Sequence, residues 1–190
     1  MKKHLSISIR LTLVALVLFG ITYPLAITGI ASLTAANNGG GKILSDSVRV
    51  YGFEVIGQAF TSDKYFISRP SAVDYNAAAT GGSNKGPSNP DYLASVEQRI
   101  DDFLLHNPEV KREQIPVDLV TASGGGLDPH ISLSAAMIQV PRIAKVRQLD
   151  VVDVKQIVLE NTEIPFLGLF GTTTVNVLKL NIALDQLDAK

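Results

Sequence analysis

Leu11–Ile30 reads LTLVALVLFGITYPLAITGI, twenty residues without a charged side chain, inside a longer uncharged gap from Arg10 to Lys42. A hydrocarbon core about 30 Å thick needs roughly 20 apolar residues of helix to cross it. The run predicts one membrane-spanning helix over residues 11–33, and it is the only stretch of that kind in the chain. Pro24 lies inside it, where it removes a backbone donor and can bend the helix. Spanning helices tolerate this when neighbours cover the freed carbonyl. Ala15, Gly20, Ala26 and Gly29 would let a partner helix approach closely, although small residues are also common in spans generally.

Orientation follows from charge. Lys2, Lys3 and Arg10 precede the run, and no Asp or Glu occurs before Asp46. Basic flanks stay cytoplasmic, so residues 1–10 are expected inside and the bulk of the chain outside. A cleaved signal peptide also has a basic start and an apolar centre, and Thr34-Ala35-Ala36 offers a small-residue cleavage site. The run is longer than the roughly 7–15 residues of a signal core, which favours a retained anchor. Both readings export the chain from about residue 42. Residues 34–42, with Asn37-Asn38-Gly39-Gly40-Gly41, read as a hinge, and 43–190 as one extracytoplasmic (periplasmic) domain.

From Lys42 onward the exported part carries 14 basic and 18 acidic side chains, net −4, which argues against nucleic acid as a partner. Cysteine is absent, so thiol catalysis, thiolate metal sites and disulfides are excluded. Val48–Phe60 is rich in β-branched and aromatic residues and reads as one or two strands broken at Gly52 and Gly57; Tyr65–Ser68 reads as a further extended piece. Residues 69–89 read as loop. Asn89-Pro90-Asp91 is a helix start, with Leu93, Val96, Ile100, Phe103 and Leu104 forming a buried face. Asn107-Pro108 ends that helix and offers the same start for a short second one. Ser132–Leu149 reads as two helical pieces meeting at Val140, before Pro141. Asp150–Asn161 reads as another helix, Thr172–Leu180 as a strand and Asn181–Leu187 as a closing helix. The expected fold is a compact α/β or α+β domain with few strands, behind one N-terminal transmembrane helix.

Chemical motifs are weak. Gly81-Gly82-Ser83-Asn84-Lys85-Gly86 lacks the Lys-Ser/Thr pair that a phosphate loop needs after its last glycine, and Gly39–Lys42 is followed by Ile43 where a hydroxyl is required. A structural turn is the simpler reading of both. No G-x-S-x-G elbow is present, so a hydrolase built on Ser83, His130 and Asp128 rests on spatial convergence alone. Asp128-Pro129-His130 lacks a second ligand cluster, and no metal site is expected. Asp128 reads more simply as a turn cap. Arg69, Arg142 and Arg147 stand beside loops or helix breaks and suit pinning to carbonyls or carboxylates. No catalytic residues emerge.

Longer motifs carry a resemblance. Tyr65-Phe66 through Arg69-Pro70-Ser71-Ala72, Tyr75-Asn76, and Gly81-Gly82-Ser83-Asn84 through Gly86-Pro87-Ser88-Asn89-Pro90 are the first of them. Val117–Ser123, Gly126–Ser132, Gln139-Val140-Pro141-Arg142-Ile143-Ala144, Val175–Leu178 and Leu180–Asp185 follow in order. Together with Tyr23-Pro24-Leu25 in the anchor, this succession resembles the C subunit of the bacterial Kdp potassium-transporting ATPase, over nearly the whole chain. The resemblance implies a non-catalytic, single-span inner-membrane subunit of an ATP-driven potassium importer, with no cofactor of its own. ATP and potassium would be handled by the complex. Its implied partners are a channel-like potassium-binding subunit, a P-type ATPase subunit and a small fourth subunit. Residues Arg69, Pro70, Ser71, Tyr75, Asn76, Gly81, Gly82, Ser83, Asn84, Ser88, Asn89, Asp128 and Arg142 become candidate loop-shaping or partner contacts. The family also implies a catalytic chaperone that raises the ATPase subunit's affinity for ATP, with Gln139 as the nucleotide contact. The expected orientation puts Gln139 outside the cell, which makes such an effect indirect, through the membrane helix.

Overall fold

The structure, a computed structural model, describes residues 2–188; Met1, Ala189 and Lys190, at the ends of the expected cytoplasmic start and exported domain, lie outside the described residues. The chain divides into two units, Met1–Leu44 and Ser45–Lys190.

The first unit is built on the apolar run. Helix α1 (Lys2–Val17), a π-helical turn at Leu18–Thr22 and α2 (Tyr23–Thr34) follow without a break. Lys3–Thr34 is long and apolar enough to cross a membrane, and its most apolar part is not buried within the chain. The wide turn has a cause in Pro24. Proline cannot donate to the carbonyl of Gly20, and its ring crowds that oxygen. Tyr23 N–H instead reaches back five residues to the carbonyl of Leu18, so the helix passes the proline through one π-turn. Beyond Thr34, Asn37 (φ 53°) and Asn38 (φ 51°) adopt left-handed backbone within a 3-10 turn, a conformation asparagine accepts more readily than most residues.

The second unit is α+β. After β1 (Ile43–Ser45), within which the boundary falls, and β2 (Val50–Phe53), a long segment without helix or strand leads to α3 (Pro90–His106). Two 3-10 turns then precede β3 (His130–Ser132), α4 (Leu133–Met137), α5 (Val140–Arg147), α6 (Val151–Glu160), β4 (Thr162–Glu163), β5 (Thr174–Asn176) and α7 (Val177–Asp188). The sheet is antiparallel in the order β3-β5-β4, with Val175 opposite Ile131 on one side and Thr162 on the other. Antiparallel pairing without βαβ crossovers excludes the α/β alternative. Helix starts follow side-chain caps. Asn89 accepts from Tyr92 N–H, Ser132 from Ala135 N–H, Asp150 from Val152 N–H, and Asn176 from Lys179 N–H. The core joins Val140 and Ile143 of α5, Val154 and Val158 of α6, and Leu180 and Leu184 of α7 to Ile131 and Val175 of the sheet, all but fully buried. Burying each such side chain stabilises the fold by roughly 1.5–3 kcal/mol.

Four expectations need correction. Thr172–Leu180 is not one strand: β5 covers three residues, and α7 begins at Val177. Val177, Leu180 and Leu184 repeat at helical spacing, and the Asn176 cap turns the chain. Within Val48–Phe60 only Val50–Phe53 is a strand. No α-helix follows Pro108; a 3-10 turn at Arg112–Gln114 stands there instead. On α3 only Phe103 is fully buried, and Leu93 is 51% exposed.

Candidate functional site

The family-like motifs converge on two joints and a charged edge. At the first joint, the 69–89 loop folds against the 123–130 loop. Ser71 Oγ accepts from the N–H groups of Val73 and Tyr75 at 3.2 and 2.9 Å, holding Asp74 and Tyr75 in left-handed backbone. The Tyr75 hydroxyl donates to the Arg69 carbonyl at 2.5 Å, and burial raises its pKa. Ser123 N–H donates to the Pro70 carbonyl, and Gly81 N–H to that of Gly125. Gly82 and Gly126 let the loops touch: a Cβ on Gly82 would stand 2.8 Å from the Gly124 carbonyl oxygen, and one on Gly126, at φ +72°, 2.5 Å from Val73. Arg69 Nη1 pairs with Asp128 at 3.0 Å, while Asp128 also accepts from His130 N–H at 3.0 Å, the turn-capping role expected of it. Asn76 caps a turn through Ala78 N–H. Ser83, Asn84 and Ser88 lie exposed at the outer edge of the loop.

The second joint centres on Gln139 and Arg142, at the break between α4 and α5. Gln139 is fully buried. Its carbonyl oxygen accepts from Ile67 N–H and from Arg142 Nη2, and its amide donates to the Ala135 carbonyl. Arg142, 7% exposed, donates to Asn107 Oδ1 at 2.9 Å, to the Tyr65 carbonyl at 3.0 Å and to the Asp63 carbonyl. Burial pulls its pKa below the usual guanidinium value. Beside it, Asn181 of α7 grips the Phe66 backbone from both sides, accepting from its N–H at 2.9 Å and donating to its carbonyl at 3.0 Å. Two amide side chains therefore serve Tyr65–Ser68 as a neighbouring strand would. A direct nucleotide contact at Gln139 would require these bonds to open. A cavity of about 220 Å³ lies alongside, lined by Phe60, Ile67, Phe103, Leu119 and Arg142 among others.

Charged pairs run along the sheet edge. His130 Nδ1 faces Asp128 Oδ1, and its Nε2 faces Glu163 Oε2, each at 3.6 Å. Lys179 bridges Glu163, at 2.8 Å, and Glu54. The Asp128 contact first, then the charge of Glu163, raises the His130 pKa; His130 in turn lowers that of Asp128. At 3.6 Å these contacts are longer than ordinary hydrogen bonds and become ion pairs when His130 is protonated. Both imidazole nitrogens thus face carboxylates, and neither is left to take a proton from a serine. Among the described residues no hydrogen bond joins Ser83 to His130, so the geometry does not assemble the hydrolase triad. No group of three or more metal-binding side chains occurs among the described residues.

Arg147 also pins a loop, donating to the Lys64 carbonyl at 2.6 Å and pairing with Asp185 at 2.8 Å, where Tyr65 and Arg49 also bind. Nothing in sequence spacing singles out Asn107 as a partner of Arg142. Asn181 carried a faint signal: an amide set between Leu180 and Ile182-Ala183-Leu184 needs a buried partner.

Comparison with known proteins gives a family. A family model described as K+-transporting ATPase, c chain (KdpC) matches residues 5–186. A relative from Flavobacterium johnsoniae, named potassium-transporting ATPase KdpC subunit, is 55% identical over 185 residues, covering 97% of this chain and 99% of the relative. Relatives with the same name from Flavobacterium psychrophilum and Caldanaerobacter subterraneus are 54% and 49% identical, each covering at least 95% of both chains.

Proposed function

Because the chain belongs to the KdpC family, the c chain of K+-transporting ATPases, we propose that it is a non-catalytic, single-span accessory subunit needed to assemble a potassium importer. The observation that carries this reading is how its family-like motifs are used. Arg69, Ser71, Tyr75, Asp128, Gln139 and Arg142 are all engaged in joining loops to one another. Such residues shape a rigid surface; a catalytic site would leave a nucleophile and base free to meet a substrate. The exposed outer loop at Ser83, Asn84 and Ser88 then faces a partner, and the Lys3–Thr34 helix packs among partner helices in the bilayer.

In this reading the subunits contacted are a channel-like potassium-binding subunit, the P-type ATPase subunit and a small fourth one. The basic start at Lys2, Lys3 and Arg10 keeps the N-terminus cytoplasmic and places residues 45–190 outside. Any influence on ATP affinity then passes through the membrane helix. Tagging the chain in its host and purifying from detergent should bring the other subunits with it, and residues 45–190 alone should not. Recovery of the tagged full chain alone would refute the assembly role. Photolabelling of the intact complex by an ATP probe at Gln139 would refute the indirect route.

A further inference from the structure

Between β4 and β5 the chain makes an excursion, IPFLGLFG, whose large side chains all face solvent. Ile164, Phe166, Leu167, Leu169 and Phe170 are 66–79% exposed. A sparser group, Val48, Val50, Phe53 and Val55, is spread with Arg49 and Glu54 among it; here five crowd into seven positions. No charged residue occurs between Glu163 and Lys179.

The lobe also closes its own backbone. Phe166 and Phe170 exchange N–H to carbonyl bonds at 2.9 and 3.0 Å, Gly168 N–H reaches the Pro165 carbonyl, and Leu169 N–H that of Phe166. Pro165 has no N–H to satisfy. Leu167 (φ 55°), Gly168 (φ 71°) and Gly171 (φ 105°) adopt left-handed backbone to make this tight turn. A leucine seldom does so, and here it turns the side chain away from the core.

We propose that this lobe dips into the interfacial region of the lipid bilayer in which the chain's own helix is anchored. The chemistry of the lobe disfavours a protein occupant. Protein interfaces add a polar rim and directed hydrogen bonds to an apolar centre. Ile164–Gly171 offers no side-chain donor, acceptor or charge, and most of its amides are spent internally. A bilayer interface asks only for apolar area and satisfied backbone groups. The chain also supplies proximity. About ten residues separate Thr34, the end of the apolar helix, from Ser45, and such a tether extends at most about 35 Å. An anchored domain therefore samples the bilayer at high effective concentration, and a small insertion suffices. The inference rests on the membrane span but not on which side of the membrane the domain occupies.

The chain contains no tryptophan, so one introduced indole is a clean probe. Leu169→Trp, and Phe170→Trp as a second variant, are placed in the full chain reconstituted alone in nanodiscs, with Leu105→Trp on exposed α3 as the reference. Replacing the lipid by brominated lipid should quench both lobe indoles several-fold and leave the reference unchanged. Water-like, unquenched emission from the lobe would overturn the proposal. So would blue-shifted emission without bromine quenching, which would assign the lobe to a contact with a second copy of the chain.

Discussion

Replacing Arg142 by methionine keeps most of the side-chain volume and removes the guanidinium. Four acceptors lose a donor: Asn107 Oδ1, Gln139 Oε1 and the carbonyls of Asp63 and Tyr65. They are not equivalent. Asp63 is exposed and Tyr65 half-buried, so water can replace the arginine there. Gln139 Oε1 keeps its bond from Ile67 N–H. Asn107, 3% exposed, is left with a buried oxygen unsatisfied. An orphaned buried acceptor costs about 1–3 kcal/mol, and the charge-assisted bond at Gln139 adds about 1.5 kcal/mol. Relief of the buried charge offsets part of this, leaving a net loss of about 3 kcal/mol. For a unit of this size that lowers Tm by about 6–12 °C. Arg142→Lys should fall between, since an ammonium cannot fork to four acceptors. Near-UV circular dichroism of the full chain in detergent follows Tyr51, Tyr65, Tyr75 and Tyr92 of the folded unit, with Tyr23 of the membrane helix as a constant background. A Tm for Arg142→Met within about 1 °C of the unsubstituted chain would refute the reasoning.

Adjacent glycines should behave oppositely. Gly126→Ala meets Val73 and an unfavourable φ and should destabilise by about 2 kcal/mol, whereas Gly125→Ala, with open space at its Cβ, should be neutral or slightly stabilising; urea midpoints compare them. The His130 pair should be pH-dependent. Its raised folded pKa means that its stabilisation is complete below the unfolded value near 6.5 and is lost as pH rises through the folded value. Asp128, with a lowered pKa, contributes above about 3.9 and loses its contribution as pH falls through its folded value. Asp128 and Glu163 attract the imidazolium, while Lys179 opposes it. His130→Gln should therefore shift the urea midpoint downward at pH 5.5 and not at pH 9; equal shifts at both would remove the ion pair as the cause.

Local signals were the legible ones. Asn89-Pro90 and Asp150 announced helix starts because a cap is written in adjacent residues, and Pro141 announced the break between α4 and α5. The antiparallel sheet was hidden because its strands are two or three residues long, too short for alternation to register. Thr172–Leu180 misled for a related reason: its β-branched residues suggested a strand, while the cap at Asn176 and the spacing of Val177, Leu180 and Leu184 specified helix. The arginines were legible as pins, yet their acceptors were not. Asn107 and the Asp63 and Tyr65 carbonyls are far from Arg142 in sequence, and only the fold brings them together. Gln139 stood out through its motif, but its burial between Ile67, Ala135 and Arg142 is visible only in three dimensions.

The most direct test of the subunit role is potassium-stimulated ATP hydrolysis in membranes of the host with this chain removed. The account predicts that activity is lost, returns with the full chain, and does not return with a chain lacking residues 11–33. Undiminished activity without the chain, or full rescue by residues 45–190 alone, would contradict it.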